Sequence, residues 1–213
     1  MNVGIVCYAS VGGSGVVATE LGRALAQRGH EVHLISHDPP FRWREGEPRF
    51  SFERVTVQPY PLFLEPQYLL ALVNTVVRVA RERRLDIVHA HYAVPHATAA
   101  YLADQMLSSA GGVVPRTITT LHGTDITLVG SDPSYSSVVA FSIEQSHGVT
   151  AVSTSLSRDT LRTLGIRRDI RVIPNFLDET RYQRRPDAGL RARVTSGRTD
   201  AAILLHTSNF RPV

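Results

Sequence analysis

Glycine, serine and histidine fall at spacings that suggest ligand binding in four stretches of this 213-residue chain. Gly12, Gly13 and Gly15 surround Ser14, just ahead of a segment in which Val17, Leu21, Ala24 and Leu25 recur at helical spacing. Glycines let backbone approach a ligand closely. Amide hydrogens at a helix start, the positive end of its dipole, favour phosphate or carboxylate. Ser14 is the polar side chain at that mouth, and its plainer reading is a helix cap in a tight turn. His91 and Tyr92 follow an apolar run. His122 follows another and precedes Gly123, an arrangement suited to an imidazole presented to a ligand. Asp125 reads as a cap, and Asn175 follows the last of the short apolar runs in this part of the chain.

Other chemistries have weaker support. His89 and His91, two apart on a strand, project to one face, and with His96 they suggest a metal. No cysteine lies near, however, and Asp86 precedes the strand at its opposite end, so packed or hydrogen-bonded histidines are the better reading. There is no hydrolase nucleophile elbow and no glycine loop ending in Lys-Ser or Lys-Thr. Gly13, Gly15 and Ala18 satisfy the dinucleotide fingerprint, and Asp38 lies beyond the second strand where a ribose-binding carboxylate belongs. A nicotinamide-dependent oxidoreductase therefore stays open, although Pro39 and Pro40 follow Asp38 at once. A binding module without chemistry is a third class.

Composition narrows the partners. The formal net charge is +4, and all 23 basic residues are Arg. Arginine is dense over 158–198, but Asp159, Asp169, Asp178, Glu179 and Asp187 are interleaved and no aromatic platform accompanies them. This describes a solvated face better than a nucleic-acid surface. No apolar run is long enough for a membrane span, and the chain enters a strand-like run without a charged leader. A cytoplasmic protein is the expectation, and the lone Cys7 inside that run fits a reducing compartment.

The elements that must position these residues alternate. Apolar strand-like runs lie at 3–8, 31–36, 50–57, 87–91, 117–121, 149–152 and 171–173. Helical patterns lie at about 16–29, 69–80, 95–107, 136–144 and 156–164, the last ended by Gly165. Pro95 suits a helix's first turn. The alternation predicts an α/β fold, a doubly wound Rossmann-like parallel sheet with ligands outside the carboxyl ends of its strands. The glycine stretch is the predicted loop between the first strand and the first helix. It shares one rim with His91, Tyr92, His122 and Asn175.

These residues carry a family resemblance. Residues 7–15, 89–96 (HAHYAVPH), 120–127 (TLHGTDIT), 175–178 (NFLD) and 208–211 (SNFR) together resemble family 4 glycosyltransferases, and the stretches at 8–15 and 89–96 resemble members that use malate. The resemblance implies a two-domain GT-B architecture of which residues 1–186 form the acceptor-binding Rossmann-like domain. Residues 187–213 would then be a linker and, at 203–206, the first strand of a truncated donor-binding domain. It implies transfer of N-acetylglucosamine from UDP-GlcNAc to the hydroxyl of L-malate with retention of configuration, with no metal and no cofactor. Homo-oligomerisation is left open. It also assigns roles: Ser14, Tyr92 and Thr120 for the acceptor, His122 beside the reacting carbon, and Gly13, Gly15, Asn209 and Arg211 for the donor and its diphosphate. These 213 residues alone would be expected to fold without transferring sugar.

Overall fold

The computed structural model describes residues 1–10, 13–59 and 67–206. The chain divides into two compact units, Met1–Asn175 and Phe176–Val213, a division that falls ahead of the boundary expected at 186.

The first unit alternates as its hydrophobic pattern predicts. In chain order it comprises β1 (Asn2–Val6), α1 (Gly13–Gln27), β2 (Glu31–Ser36), β3 (Phe50–Arg54), α2 (Tyr68–Arg83), β4 (Ile87–His91), α3 (Thr98–Ser109), β5 (Arg116–Leu121), α4 (Ser136–Gln145), β6 (Gly148–Ala151), α5 (Thr154–Leu164) and β7 (Arg171–Val172). All seven strands are parallel, in the order β3-β2-β1-β4-β5-β6-β7. The chain winds outward from β1 to β3, returns to place β4 on the other flank of β1, and continues outward from there. The switch point therefore lies between β1 and β4, where a doubly wound sheet opens a crevice at its carboxyl edge.

Helices cover both faces because strand side chains alternate. Val3, Ile5 and Cys7 pack with Val32, Leu34, Phe50 and Ala18 of α1. Val6, Ile35 and Val88 face the other way, onto Leu72 and Val76 of α2 and Ala99 and Ala103 of α3. Beyond β4, Leu121, Val149 and Ala151 pack with Val139 and Ile143 of α4 and Leu156 of α5. Glu53 ties β3 to α2 through Arg78 at 3.1 Å and Arg83 at 3.0 Å. Burial pushes its carboxyl up, but the hydrogen bonds from both guanidinium groups outweigh that and leave it below the usual carboxylate range. Ser153 caps α5 by accepting from the Leu156 amide at 3.1 Å, and Gly165 ends the helix at φ 64°.

Three expectations need correction. The glycine stretch does not lie wholly ahead of the helix: α1 begins at Gly13, so Gly13, Ser14 and Gly15 fall in its first turn, while Gly12 lies outside the described residues. Pro95 does not open a regular helix. Residues Ala93–Ala97 make a wide, π-type turn around it before α3 begins at Thr98. Residues 203–206 are not a strand. In the second unit, the only regular element among the described residues is a helix, α6 (Ala188–Thr195), capped by Asp187, which accepts from the Leu190 amide at 2.8 Å. No helix of the described residues is long and apolar enough to cross a membrane.

Candidate functional site

The parallel register dictates what meets at the carboxyl rim. β4 and β5 pair with His89 opposite Ile118 and His91 opposite Thr120, so the residue after each strand, Tyr92 or His122, is carried to the same edge. The Tyr92 amide donates to the Thr120 carbonyl at 3.0 Å, which extends the ladder one step into the turn. Tyr8, just past β1, brings its ring to 5.5 Å from that of Tyr92 and 4.4 Å from that of His96. The Tyr92 ring lies 5.1 Å from the His122 ring. Of the four strand ends expected to converge, the first, fourth and fifth meet through aromatic rings in mutual contact; Asn175, after the last, is exposed and takes no part in these contacts.

His122 sits on a turn built to hold it. Gly123 has φ +124°, a conformation that side chains disfavour. The buried Asp125 carboxylate accepts from the amides of Gly123 at 2.9 Å and His122 at 3.2 Å, so it ties back the turn ahead of it and is not the helix cap expected of it. Burial pushes the Asp125 carboxyl up, only partly offset by those bonds. From the imidazole, Nε2 reaches His91 Nδ1 at 2.9 Å, and the two rings stack with centroids 5.1 Å apart.

Beneath His122 lies a stack of imidazoles. His91 is fully buried and its ring lies 4.7 Å from that of His89. His89 Nε2 shares a hydrogen bond of 2.7 Å with the Thr120 hydroxyl, which shares another of 2.7 Å with the Thr150 hydroxyl. His96, also fully buried, donates from Nδ1 to the His91 carbonyl. Burial holds His89, His96 and His122 down to about 4, and His91 well below its ordinary value with the charges of its neighbouring histidines adding to the effect. All four rings are therefore neutral at pH 7. Among the described residues no group of three or more His, Cys, Asp or Glu side chains is placed to hold a metal ion.

The first turn of α1 differs in detail from its expected role. The Gly15 amide, expected to face an anion, donates to the Ser10 hydroxyl at 3.2 Å. A Cβ on Gly15 would lie 2.7 Å from the Tyr8 carbonyl oxygen and 2.9 Å from that of Ser10, so glycine is required there for close packing of helix on strand end. Ser14 is buried inside the first turn rather than at the cap position. Gly13 is exposed, at φ +54°. Asp38, the ribose-binding candidate of the dinucleotide reading, is bound by Arg54 at 2.6 Å. Asn209 and Arg211 lie outside the described residues.

Sequence reasoning places Tyr92, His122 and the start of α1 at one edge. It misses Tyr8 and the partnership of His91 with His122. The one available signal is that each lies at or just past the end of an apolar strand run on the rim where His122 was expected.

Comparison with known proteins agrees with the fold. Residues 11–181 match the family described as Glycosyltransferase Family 4. Over all 213 residues the chain is 48% identical to the N-acetyl-alpha-D-glucosaminyl L-malate synthase of Bacillus anthracis, and it spans 55% of that protein's length. Among solved structures it is similar to a sucrose-phosphate synthase from Thermosynechococcus elongatus, with a TM-score of 0.63 and 17% identity, covering 92% of this chain and 52% of the other. It is also similar to a glycosyltransferase from Rickettsia africae, with a TM-score of 0.65 and 17% identity, covering 93% of this chain and 50% of the other. At these identities the structural likeness speaks for the fold alone.

Proposed function

We propose, on the premise that the chain belongs to glycosyltransferase family 4, that it forms the acceptor side of a retaining transferase moving N-acetylglucosamine from UDP-GlcNAc to the hydroxyl of L-malate. The observation that carries the proposal is the 48% identity, without interruption of coverage, to an enzyme named for that product. The site's chemistry supports it. A diacid and a nucleotide diphosphate are both anionic, and a neutral, hydrogen-bonding rim beside a helix N-terminus suits them.

On this reading Tyr92, Ser14 and Thr120 contact malate. Thr120 meets one condition for that. A carboxylate only accepts, so Thr120 must donate its single proton to it, which requires both His89 Nε2 and the Thr150 hydroxyl to donate to Thr120. His122 contacts the sugar beside the reacting carbon. The diphosphate lies toward the first turn of α1, at Gly13 and at amides other than that of Gly15. The leaving phosphate takes the acceptor proton, and no metal or cofactor takes part. The protein's contribution is to orient the reactants and stabilise the charge that develops on the diphosphate.

The test is transfer by the full-length enzyme from UDP-GlcNAc to a panel of 2-hydroxy acids and sugars. Malate is expected to be preferred, and His122→Ala to lose roughly 100-fold in turnover, the order found when one positioned polar group is removed, with an unchanged circular dichroism spectrum. Absence of any preference for malate would leave a family 4 transferase with another acceptor. Unchanged turnover in His122→Ala would remove that residue from the site.

A further inference from the structure

The floor of the rim points to a role for a residue that touches no substrate. His91 lies at the last position of β4 with no exposed surface, and its Nδ1 is 2.9 Å from Nε2 of His122. We propose that His91 is a positioning residue that holds His122 in one orientation and one tautomer, neutral with the proton on Nδ1, so that His122 meets its ligand as a hydrogen-bond donor.

The tautomer follows from counting protons. One hydrogen lies between His91 Nδ1 and His122 Nε2, so one ring donates and the other accepts. If His122 donated, neutral His91 would carry its own proton on Nε2. That nitrogen is buried and has no hydrogen-bond partner among the described residues, so a buried N–H would be left orphaned. If His91 donates, its Nε2 is a bare lone pair. Either way Nε2 of His91 goes without a partner, and the neighbouring ring shows which of the two states this cluster holds.

His96 supplies a precedent in the same cluster. Its Nδ1 faces the His91 carbonyl, which can only accept, so Nδ1 carries the proton and Nε2 is bare, buried and likewise without a partner among the described residues. The fold thus already tolerates the arrangement assigned to His91. The same bond locks His91 from behind: its carbonyl is held by His96, and its ring is backed by His89, which is anchored to Thr120 and Thr150. His122 has Nε2 occupied from below, and the nitrogen it offers is Nδ1.

The assignment of the ligand as a sugar rests on the proposed function; the tautomer does not. The experiment therefore reads the ring before it reads the reaction. The full-length protein with nitrogen-15 histidine is examined by two-dimensional NMR correlating ring nitrogens with ring carbon-bound protons, with His122 assigned by loss of its signals in His122→Asn. At neutral pH His122 is expected to be protonated on Nδ1 alone. His91→Phe, which keeps an aromatic ring and removes the donor, is expected to shift His122 toward protonation on Nε2 and to lower turnover about tenfold, the worth of one hydrogen bond. His91→Asn, whose side-chain amide can donate from nearly the position of Nδ1, is expected to restore both readings, which a purely packing role for His91 would not allow. A wild-type spectrum with His122 protonated on Nε2, or in an even mixture, overturns the proposal without any variant. So does a His91→Phe spectrum in which the His122 tautomer is unchanged. Failure of sugar transfer with an Nδ1-protonated His122 would count against the proposed function and leave this inference standing.

Discussion

Replacing Gly15 by alanine separates a structural from a ligand-facing role for the first turn of α1. An alanine inside a helix ordinarily gains about 0.5–1 kcal/mol over glycine, and the helical conformation here has no objection to it. The space does. The new Cβ would lie 2.7 Å from the Tyr8 carbonyl oxygen, 2.7 Å from Ser10 Oγ and 2.9 Å from the Ser10 carbonyl oxygen. Ordinary contact begins near 3.4 Å, so helix and strand end must part by several tenths of an ångström. Two of the three obstacles are backbone, which cannot rotate away. Parting also stretches the bond from the Gly15 amide to the Ser10 hydroxyl. Overpacking of this kind costs about 1–3 kcal/mol, more than the propensity gain. A net loss of about 1–2 kcal/mol corresponds to a fall in Tm of about 2–8 °C for a chain of this length. Gly13→Ala is the control: nothing lies within 4 Å of its Cβ, and only the positive φ of 54° opposes it. Thermal unfolding followed by circular dichroism reads both. A Gly15→Ala protein that melts at or above wild type, while losing affinity for an anionic ligand, would refute the packing argument and return Gly15 to the ligand.

The histidine stack makes the fold acid-sensitive with a definite sign. The rings of His89, His96 and His122 titrate near 4 in the native state, against an ordinary value of 6.5. Above 6.5 neither state is protonated and the full stability is present; as pH falls toward 4 the unfolded chain binds protons that the native state refuses, and stability is lost. Tm is expected to fall steeply between pH 6.5 and 4.5, less so in His96→Asn, and a flat Tm over that range would contradict the neutral cluster. Asp104 runs the other way. Burial raises its carboxyl to about 6, against a lowering by the Thr117 hydroxyl bond, so the native state keeps a proton that the unfolded chain gives up, and stability falls as pH rises from about 4 to 6. Asp104→Asn should accordingly raise stability at pH 7.5 by about 1 kcal/mol, after allowance for solvent screening of a partly exposed group, and leave it unchanged at pH 3.5; equal effects at both pH values would refute the assignment. Tyr92→Phe in the full-length enzyme is expected to raise KM for malate several-fold, the worth of about 1 kcal/mol for one hydrogen bond, with little change in KM for UDP-GlcNAc.

How much of this was legible in the sequence depended on whether the signal was local. The seven strands were readable because buried parallel strands are short runs of apolar and β-branched residues, as in residues 3–7 and 117–121, and their edges are set by neighbouring polar or turn residues. The start of α1 was misread because three glycines in a row of five positions signal a turn by propensity, whereas here Gly15 answers to the proximity of Tyr8 and Ser10, a tertiary fact. The wide turn at Ala93–Ala97 was hidden for the same reason: Pro95 marks a helix start wherever its ring is tolerated. α6 escaped because its Ala-Gly-Leu-Arg pattern has no apolar face to detect, and only the cap at Asp187 announces it.

The site shows the same division more sharply. His122 was legible from its own surroundings, a strand end followed by glycine. Its partner was not, because His91 and His122 come together only once β4 and β5 are paired in the register that sets His91 against Thr120. A slip of one residue would turn His91 to the opposite face of the sheet and leave His122 without its floor. The same register puts Thr120 within reach of His89, and the pairing of β5 with β6 sets it beside Thr150, so two neighbouring pairings organise the imidazole stack, the presented ring and the hydroxyl pair. Because β4 is also the strand that flanks the switch point with β1, the residue that opens the crevice and the residues that line it are fixed by a single topological choice. That coupling explains why four histidines, two buried and two half-buried, can remain neutral at the carboxyl edge of the sheet. The rings of Tyr8 and Tyr92 pack against His96, and that of Tyr92 also against His122, and protonating any one imidazole would place a charge against neutral neighbouring rings.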